Sequence, residues 1–281
     1  MANAITHDLG AYSISHYLCP PGLGLVDFLD RIAVRGFGGT GLTLRALEEL
    51  PTPALRRELA ARGLGVTSVN SAGYFLNDDP ALAAAQERRN LWLLEKTRDL
   101  DAHALNVIAG GPGQGRMALA EARSRAIDAL YRLAVRAETL GVRLIVEPVH
   151  PAAIWLKGCL NTIRQVEDAI QGLRNVAINV DLFHSWWDPD LERAIGAPRV
   201  PVGLVQICDL YAPDDGGPPR RAPFGEGNVD LGGFMELARK CAADIPVEVE
   251  LFADQMPGRA LDPILDSAVA FLSRRQEAKE P

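Results

Sequence analysis

The chain predicts a single (β/α)8 TIM barrel over residues 1–281, on three observations. Strand-like and helix-like segments alternate about eight times along the 281 residues, and a barrel of this kind takes ~250 residues. No polar linker divides the chain into halves, which favours one barrel over a doubly wound sheet. Four apolar runs in the second half each carry a metal-ligand residue type near the C-terminal end. They are "VRLIVEPVHP" with Glu147, "NVAINVDLFHS" with Asp181, "VPVGLVQICD" with Gln206 and "IPVEVELF" with Glu250. In a closed barrel these strand ends surround one spot, and that face carries the active site.

The elements follow in order. "AYSISHYL" reads as the first strand, and "GLVDFLDRIAVRG" as a helix closed by Gly36. "GTGLTL" is the second strand and "PALRRELAARG" a helix ending at Gly63. "GVTSVNSAG" is the third strand, followed by a long helix from Pro80, where the missing N–H costs nothing. "HALNVIAGG" is the fourth strand, and 118–140 form a helix stopped by Gly141. Strands carrying Glu147, Asp181, Gln206 and Glu250 then alternate with helices over 160–171, about 190–196, 231–242 and 262–276. Residues 210–230 hold Gly, Pro and charged residues without apolar periodicity. A loop of that length inside a compact domain is usually functional or disordered. Following the seventh strand, it is placed on the active-site rim. "GGPGQG" at 110–115 reads as a flexible rim loop after the fourth strand and misses the nucleotide fingerprint.

Composition narrows the function classes. Hydrophobic residues make up 48% of the chain, ample for one large core, and the formal net charge is −7. That balance argues against a nucleic-acid surface or an anionic membrane as partner, and it suits a cation. No apolar run reaches the ~18 residues of a membrane span, and "MANAITHDLG" has no signal-peptide pattern. The expected location is the cytoplasm. Cys19, Cys159, Cys208 and Cys241 lie far apart, with no CxxC or finger spacing, and read as reduced buried thiols.

Side-chain alternation along a strand supports the ligand set. In "INVDLFH", Ile178 and Val180 face the helices while Asn179 and Asp181 point inward. Val205 and Ile207 face out, which sends Leu204 and Gln206 in. Val247, Val249 and Leu251 face out, which sends Glu248 and Glu250 in. Glu250 is nearer the strand end and is taken as the ligand, with Glu248 in a layer below. Three carboxylates and an amide at one spot would repel without a cation. His184, three residues after Asp181, is placed to bind a substrate hydroxyl or to join the metal shell. His150, three residues after Glu147, is a weaker candidate for substrate contact. Trp186 and Trp187 either wall the pocket or pack under the loop. Arg220 and Arg221 are candidates for an anionic or polyhydroxyl group, and Arg221 is the one assigned to substrate. "FGEGNVDLGGF" reads as a turn into the helix at 231.

The same residues resemble those of the xylose-isomerase-like TIM barrels, the sugar-phosphate isomerase/epimerase superfamily. "VEPVHP" matches a Glu closing strand 5 in an "EP" setting, and "VDLFH" matches an Asp closing strand 6 with a His three residues on. "QICD" and "GEGNVD" match the strand-7 "H-x-x-D" and the later "GEG-x-[IVL]-D", and "VEVELF" matches the last strand. The departure is Gln206, where many members place a metal-binding His; hydroxypyruvate-isomerase-like members also use Gln.

The resemblance implies one divalent cation on Glu147, Asp181, Gln206 and Glu250. An all-oxygen set of this kind favours Mg²⁺ or Mn²⁺ over Zn²⁺. It implies a small-molecule sugar or polyhydroxy-ketone substrate and an enediolate route, with Glu147 and Glu250 exchanging the protons. Isomerisation and epimerisation are the expected outcomes, with dehydration or β-elimination as alternatives on the same scaffold. A non-catalytic sugar-binding or partner subunit is the reading from another class. The histidine-rich endonuclease branch does not suit a chain with five histidines. A homo-oligomer is compatible with all of these.

Overall fold

The computed structural model describes residues 9–113, 117–211, 213–214, 217–241 and 244–277. Eight parallel strands close on themselves: β1 (Tyr12–Ser15), β2 (Gly39–Thr43), β3 (Gly65–Gly73), β4 (Leu105–Ile108), β5 (Leu144–Val146), β6 (Val176–Asp181), β7 (Val202–Ile207) and β10 (Val247–Val249). Their order is sequential, and β10 closes the ring between β7 and β1. The remaining two strands, β8 (Asp209–Tyr211) and β9 (Arg220–Ala222), form an antiparallel hairpin outside the barrel.

Helices fill the crossovers: α1 (Leu25–Ala33), α2 (Leu44–Glu49), α3 (Thr52–Ala61), α4 (Pro80–Asp99), α5 (Leu119–Leu140), α6 (Ile163–Ile170), α7 (Leu182–Ser185), α8 (Leu191–Gly196), α9 (Leu231–Cys241) and α10 (Leu261–Glu277). Their ends show local causes. Asp79 caps α4 by accepting from the Ala81 and Leu82 amides, with Pro80 in the first turn. Thr162 and Gln165 form a reciprocal capping box on α6. That box starts the helix at Ile163, later than the 160–171 expected. Gly141, at φ +68°, ends α5 in the left-handed region.

Two shells of packing hold the barrel. Outward strand residues such as Ile14, Val107, Ile178, Val205 and Val249 bury against helix residues such as Phe28, Leu29 and Leu94. Inside, Ala104, Ile145, Ala177 and Leu204 form a separate apolar plug contributed by four adjacent strands. Two residues on, β4, β6 and β7 present Asn106, Asn179 and Gln206 from the same inward faces, and Glu147 follows β5 there. On the β4–β7 side the barrel interior therefore changes from apolar to polar toward its C-terminal end. Gly41 on β2 leaves room for this polar layer, because a Cβ there would lie 2.3 Å from Glu248 Oε2.

Two expectations need correction. Residues 210–230 are not without regular structure: they contain the β8–β9 hairpin, and α2 follows β2 where no helix was foreseen. The described part of the 110–115 loop is tied down, with Cys159 N donating to Gly110 O and Gly113 N to Trp155 O. Residues 114 and 115 lie outside the described set. Cys19, Cys159 and Cys208 are free and buried; the Cys241 side chain lies outside the described set. Among the described residues, no helix is long and apolar enough to cross a membrane.

Candidate active site

The C-terminal end of the barrel gathers Glu147, Asp181, Gln206, Glu248 and Glu250, all fully or almost fully buried. Strand register accounts for the meeting: Asp181 pairs with Gln206 across β6–β7, and Gln206 with Glu248 across β7–β10. Gln206 Nε2 donates to Glu248 Oε1 at 2.8 Å and to Glu250 Oε1 at 3.0 Å, while its Oε1 accepts from Asn179 Nδ2 at 2.6 Å. Its amide oxygen is thus engaged by Asn179 rather than free. Glu248 sits in the lower layer, where its Oε2 accepts from Thr67 Oγ1 (2.7 Å) and Ser68 Oγ (2.9 Å).

Arg221 enters this cluster from the hairpin. Its Nη2 donates to Asp181 Oδ2 at 2.6 Å and to Glu250 Oε2. Its guanidinium carbon lies 4.0 Å from the Phe183 ring centre and 4.5 Å from that of Phe252. The "QICD…GEG" pattern explains how it gets there. Asp209, buried at the start of β8, accepts from the amides of Leu210 and Gly225. Gly227 closes against it, where a Cβ would come within 2.0 Å of Asp209 Oδ1. This clasp fixes the hairpin and so aims Arg221 inward.

His184 follows Asp181 on α7 and is 3% exposed. Its Nδ1 accepts from the His150 backbone N–H at 3.1 Å. Burial, with Lys157 and Arg221 nearby, holds its pKa well below the usual value, so it is neutral. A neutral ring has one acceptor nitrogen, so the His150 amide at Nδ1 and the Lys157 ammonium at Nε2 compete for it. Nε2 is 3.2 Å from Glu147 Oε1. Lys157 Nζ is 3.0 Å from the same Nε2 and 3.9 Å from Glu147 Oε1.

Glu147 Oε2 accepts from Asn106 Nδ2 at 2.6 Å, but Oε1 makes no hydrogen bond although it is buried. Burial raises the Glu147 carboxyl pKa, with Lys157 opposing. Burial raises the Asp181 carboxyl pKa well above its ordinary value, with Arg221 opposing. Burial also pushes Glu248 up to about 7, against the Thr67 hydrogen bond.

The other candidates lie apart from this cluster. His150 Nδ1 accepts from Ala152 N, and its ring meets Trp187 edge-on at 5.8 Å. Trp186 is 41% exposed and lines an outer groove with Leu210 and Phe234. Trp187 Nε1 donates to His184 O. Arg220 is exposed.

The family model of the xylose isomerase-like TIM barrel matches residues 29–275. The chain belongs to that family. Among solved structures, protein SMc04130 from Sinorhizobium meliloti 1021 is 25% identical with a TM-score of 0.83, over 93% of this chain and 97% of that one. The IOLI protein with a bound zinc atom is 18% identical with a TM-score of 0.77, over 93% and 97%. The 3-keto-D-glucoside 4-epimerase of E. coli is 20% identical with a TM-score of 0.74, over 94% and 99%. These last two likenesses show the fold. No curated protein sequence matches significantly.

Within this family member, ligand atoms of Glu147, Asp181 and His184 lie within 4.8 Å of one another, a group that could hold a metal ion. The unpartnered Glu147 Oε1 and the local charge fit a cation. Ligation through His184 Nε2 needs a lone pair there and a proton on Nδ1, an arrangement the Lys157 contact favours and the His150 amide opposes.

Sequence reading missed Asn106 and Lys157 as site residues. Asn106 was detectable, since Leu105 and Val107 face out in "LNVI". Lys157 lies on the connection between β5 and α6, and no periodicity marks it.

Proposed function

We propose that this family member is a divalent-metal-dependent isomerase or epimerase of a sugar or keto-sugar, acting by proton transfer at the carbon next to a carbonyl. The observation that carries the reading is charge. Glu147, Asp181, Glu248 and Glu250 converge in a water-poor barrel end, where among the described residues Arg221 and Lys157 offer positive charge. Buried carboxylates in excess either take up protons or bind a cation.

Glu147 and Asp181 would hold the cation, with Glu250 and the Gln206 amide oxygen completing the set. Gln206 can do so only when its oxygen is released by Asn179. When bound, the cation supplies Lewis-acid polarisation of the substrate carbonyl. Mn²⁺ and Mg²⁺ match a set rich in oxygen donors.

The chain's own residues divide the remaining work. Glu147 and Glu250 follow strands separated by β6 and β7, so they approach a central ligand from different sides. Glu147 Oε1, raised in pKa and unpartnered, is suited to accept the proton. Glu250 is the partner that returns it, and Arg221 orients Glu250 until substrate arrives. His184 Nε2 and the Lys157 ammonium lie beside Glu147 and would meet substrate hydroxyl groups. Phe183 and Phe252 shield these groups from water.

The test is turnover of keto-sugars by Mn²⁺-loaded protein, followed by removal of the ion with a chelator. Activity that survives full chelation would overturn the metal dependence.

A further inference from the structure

Gln206 presents its nitrogen, not its oxygen, to the carboxylates. Nε2 donates to Glu248 Oε1 at 2.8 Å and to Glu250 Oε1 at 3.0 Å. The nitrogen and oxygen of an amide point to opposite sides of its carbon, so the oxygen is turned away from Glu250. A cation shared by that oxygen and Glu250 needs the amide turned over, because an amide nitrogen only donates.

Asn179 opposes the turn. It lies on the inward face of β6, two residues before Asp181, and is 0% exposed. Its Nδ2 donates to Gln206 Oε1 at 2.6 Å, and lies 3.3 Å from Glu147 Oε2 and 3.4 Å from Asn106 Oδ1. The shortest of these contacts is the one to Gln206. Asn179 Oδ1 is buried without a hydrogen-bond partner among the described residues. The polar bonding of this side chain therefore runs through Nδ2. Ala177 and Leu204 of the apolar plug lie in the same inward faces and their side chains offer no acceptor in exchange.

Asn106, the neighbouring amide, acts differently. Its Nδ2 donates to Glu147 Oε2 at 2.6 Å and leaves Glu147 Oε1 without a hydrogen bond. That arrangement keeps one carboxylate oxygen free for a ligand. Asn179 instead occupies the one oxygen that Gln206 has to offer.

We propose that Asn179 is a positioning residue, a latch that keeps Gln206 in a non-ligating orientation, so that Gln206 joins a cation only after its amide turns over and cation affinity is held below what the donor set alone would give. The inference rests on the cation reading above and adds to it a residue that tunes affinity.

Calorimetric titration of the metal-free full chain with Mn²⁺ tests it. Asn179→Leu removes the donor at similar side-chain size. It should bind Mn²⁺ about two- to tenfold tighter than the wild type, the worth of one neutral hydrogen bond. In a Gln206→Leu background the same substitution should change nothing, since the latched oxygen is gone. Asn106→Leu, which also deletes a buried amide but leaves Gln206 latched, should not tighten binding. Should Asn179→Leu not fold, Asn179→Ser, too short to reach Gln206, takes its place.

Nuclear magnetic resonance reads the turn itself. The Gln206 side-chain NH₂ pair, identified by its loss in Gln206→Leu, should shift when wild-type protein is saturated with Mg²⁺, because its bonds to Glu248 and Glu250 are given up. Unchanged or weaker Mn²⁺ binding by the Asn179 variant overturns the latch. So does tightening that persists without Gln206 or that Asn106→Leu reproduces, and so does an NH₂ pair that stays in place at Mg²⁺ saturation. Wild-type protein that takes up neither ion removes the cation reading and the latch with it. Equal Mn²⁺ affinities in wild type and Asn179→Leu remove the latch alone.

Discussion

Arg221 Nη2 lies 2.6 Å from Asp181 Oδ2 and bridges it to Glu250, so one buried guanidinium compensates two carboxylates proposed to hold a cation. Burial disfavours the charged form, but Asp181 and Glu250 more than offset this and leave the Arg221 pKa raised. Arginine and cation thus share the same negative charge.

Replacing Arg221 with Met makes that sharing measurable. Breaking a buried pair on one side costs roughly 3–5 kcal/mol, so metal-free Arg221→Met should melt well below the wild type. Saturating Mn²⁺ should restore more Tm to the variant than it adds to the wild type. Equal Mn²⁺ gains in both proteins would separate Arg221 from the cation site.

Glu147→Gln and Glu250→Gln each keep an amide oxygen but lose the base. Each should lower kcat by about 10²–10⁴-fold, the range for general acid–base catalysis. Glu248→Gln keeps acceptors and donors for Gln206, Thr67 and Ser68 and should cost far less. Steady-state kinetics at saturating Mn²⁺ compares the three. A dead Glu248 variant beside a normal Glu250 variant would move the proton transfers two residues down the strand.

Gln206→His replaces an amide with an imidazole at the same strand end. Preference should shift toward Zn²⁺ or Co²⁺, read by competition titration. An unchanged order of metal affinities would mean that the residue does not touch the ion.

His16 predicts a pH effect of defined sign. Its pKa falls from 6.5 to about 3 on folding, first through burial and then through Arg45. Between those values the unfolded chain binds a proton that the folded chain refuses. Stability is therefore lost as pH falls through this window and levels off near the lower value. Denaturation midpoints of His16→Phe between pH 6 and 4 should fall less steeply than those of the wild type. Parallel slopes would show that His16 is not kept neutral.

Much of this arrangement is legible in the sequence, for a physical reason. Alternation along parallel strands sends Asn179, Asp181, Gln206, Glu248 and Glu250 inward, and barrel closure brings them to one end. The partners of those residues depend on contacts that no period encodes. Arg221 reaches Asp181 only because Asp209 and Gly225 clasp a hairpin whose strands are three residues long. Lys157 reaches His184 because its loop is pinned beside β4 by the Gly110–Gly158 bridge. Trp186, adjacent in sequence to these residues, lines the outer groove instead.

The central claim is proton abstraction beside a carbonyl at a metal-loaded barrel end, and solvent isotope exchange tests it most directly. Mn²⁺-loaded protein is incubated in D₂O with monosaccharide and disaccharide keto-sugars, and products are read by NMR. The account predicts deuterium at the carbon next to the carbonyl of at least one sugar, lost on chelation and in Glu147→Gln. Absence of exchange into a sugar that demonstrably binds the Mn²⁺-loaded protein would contradict it.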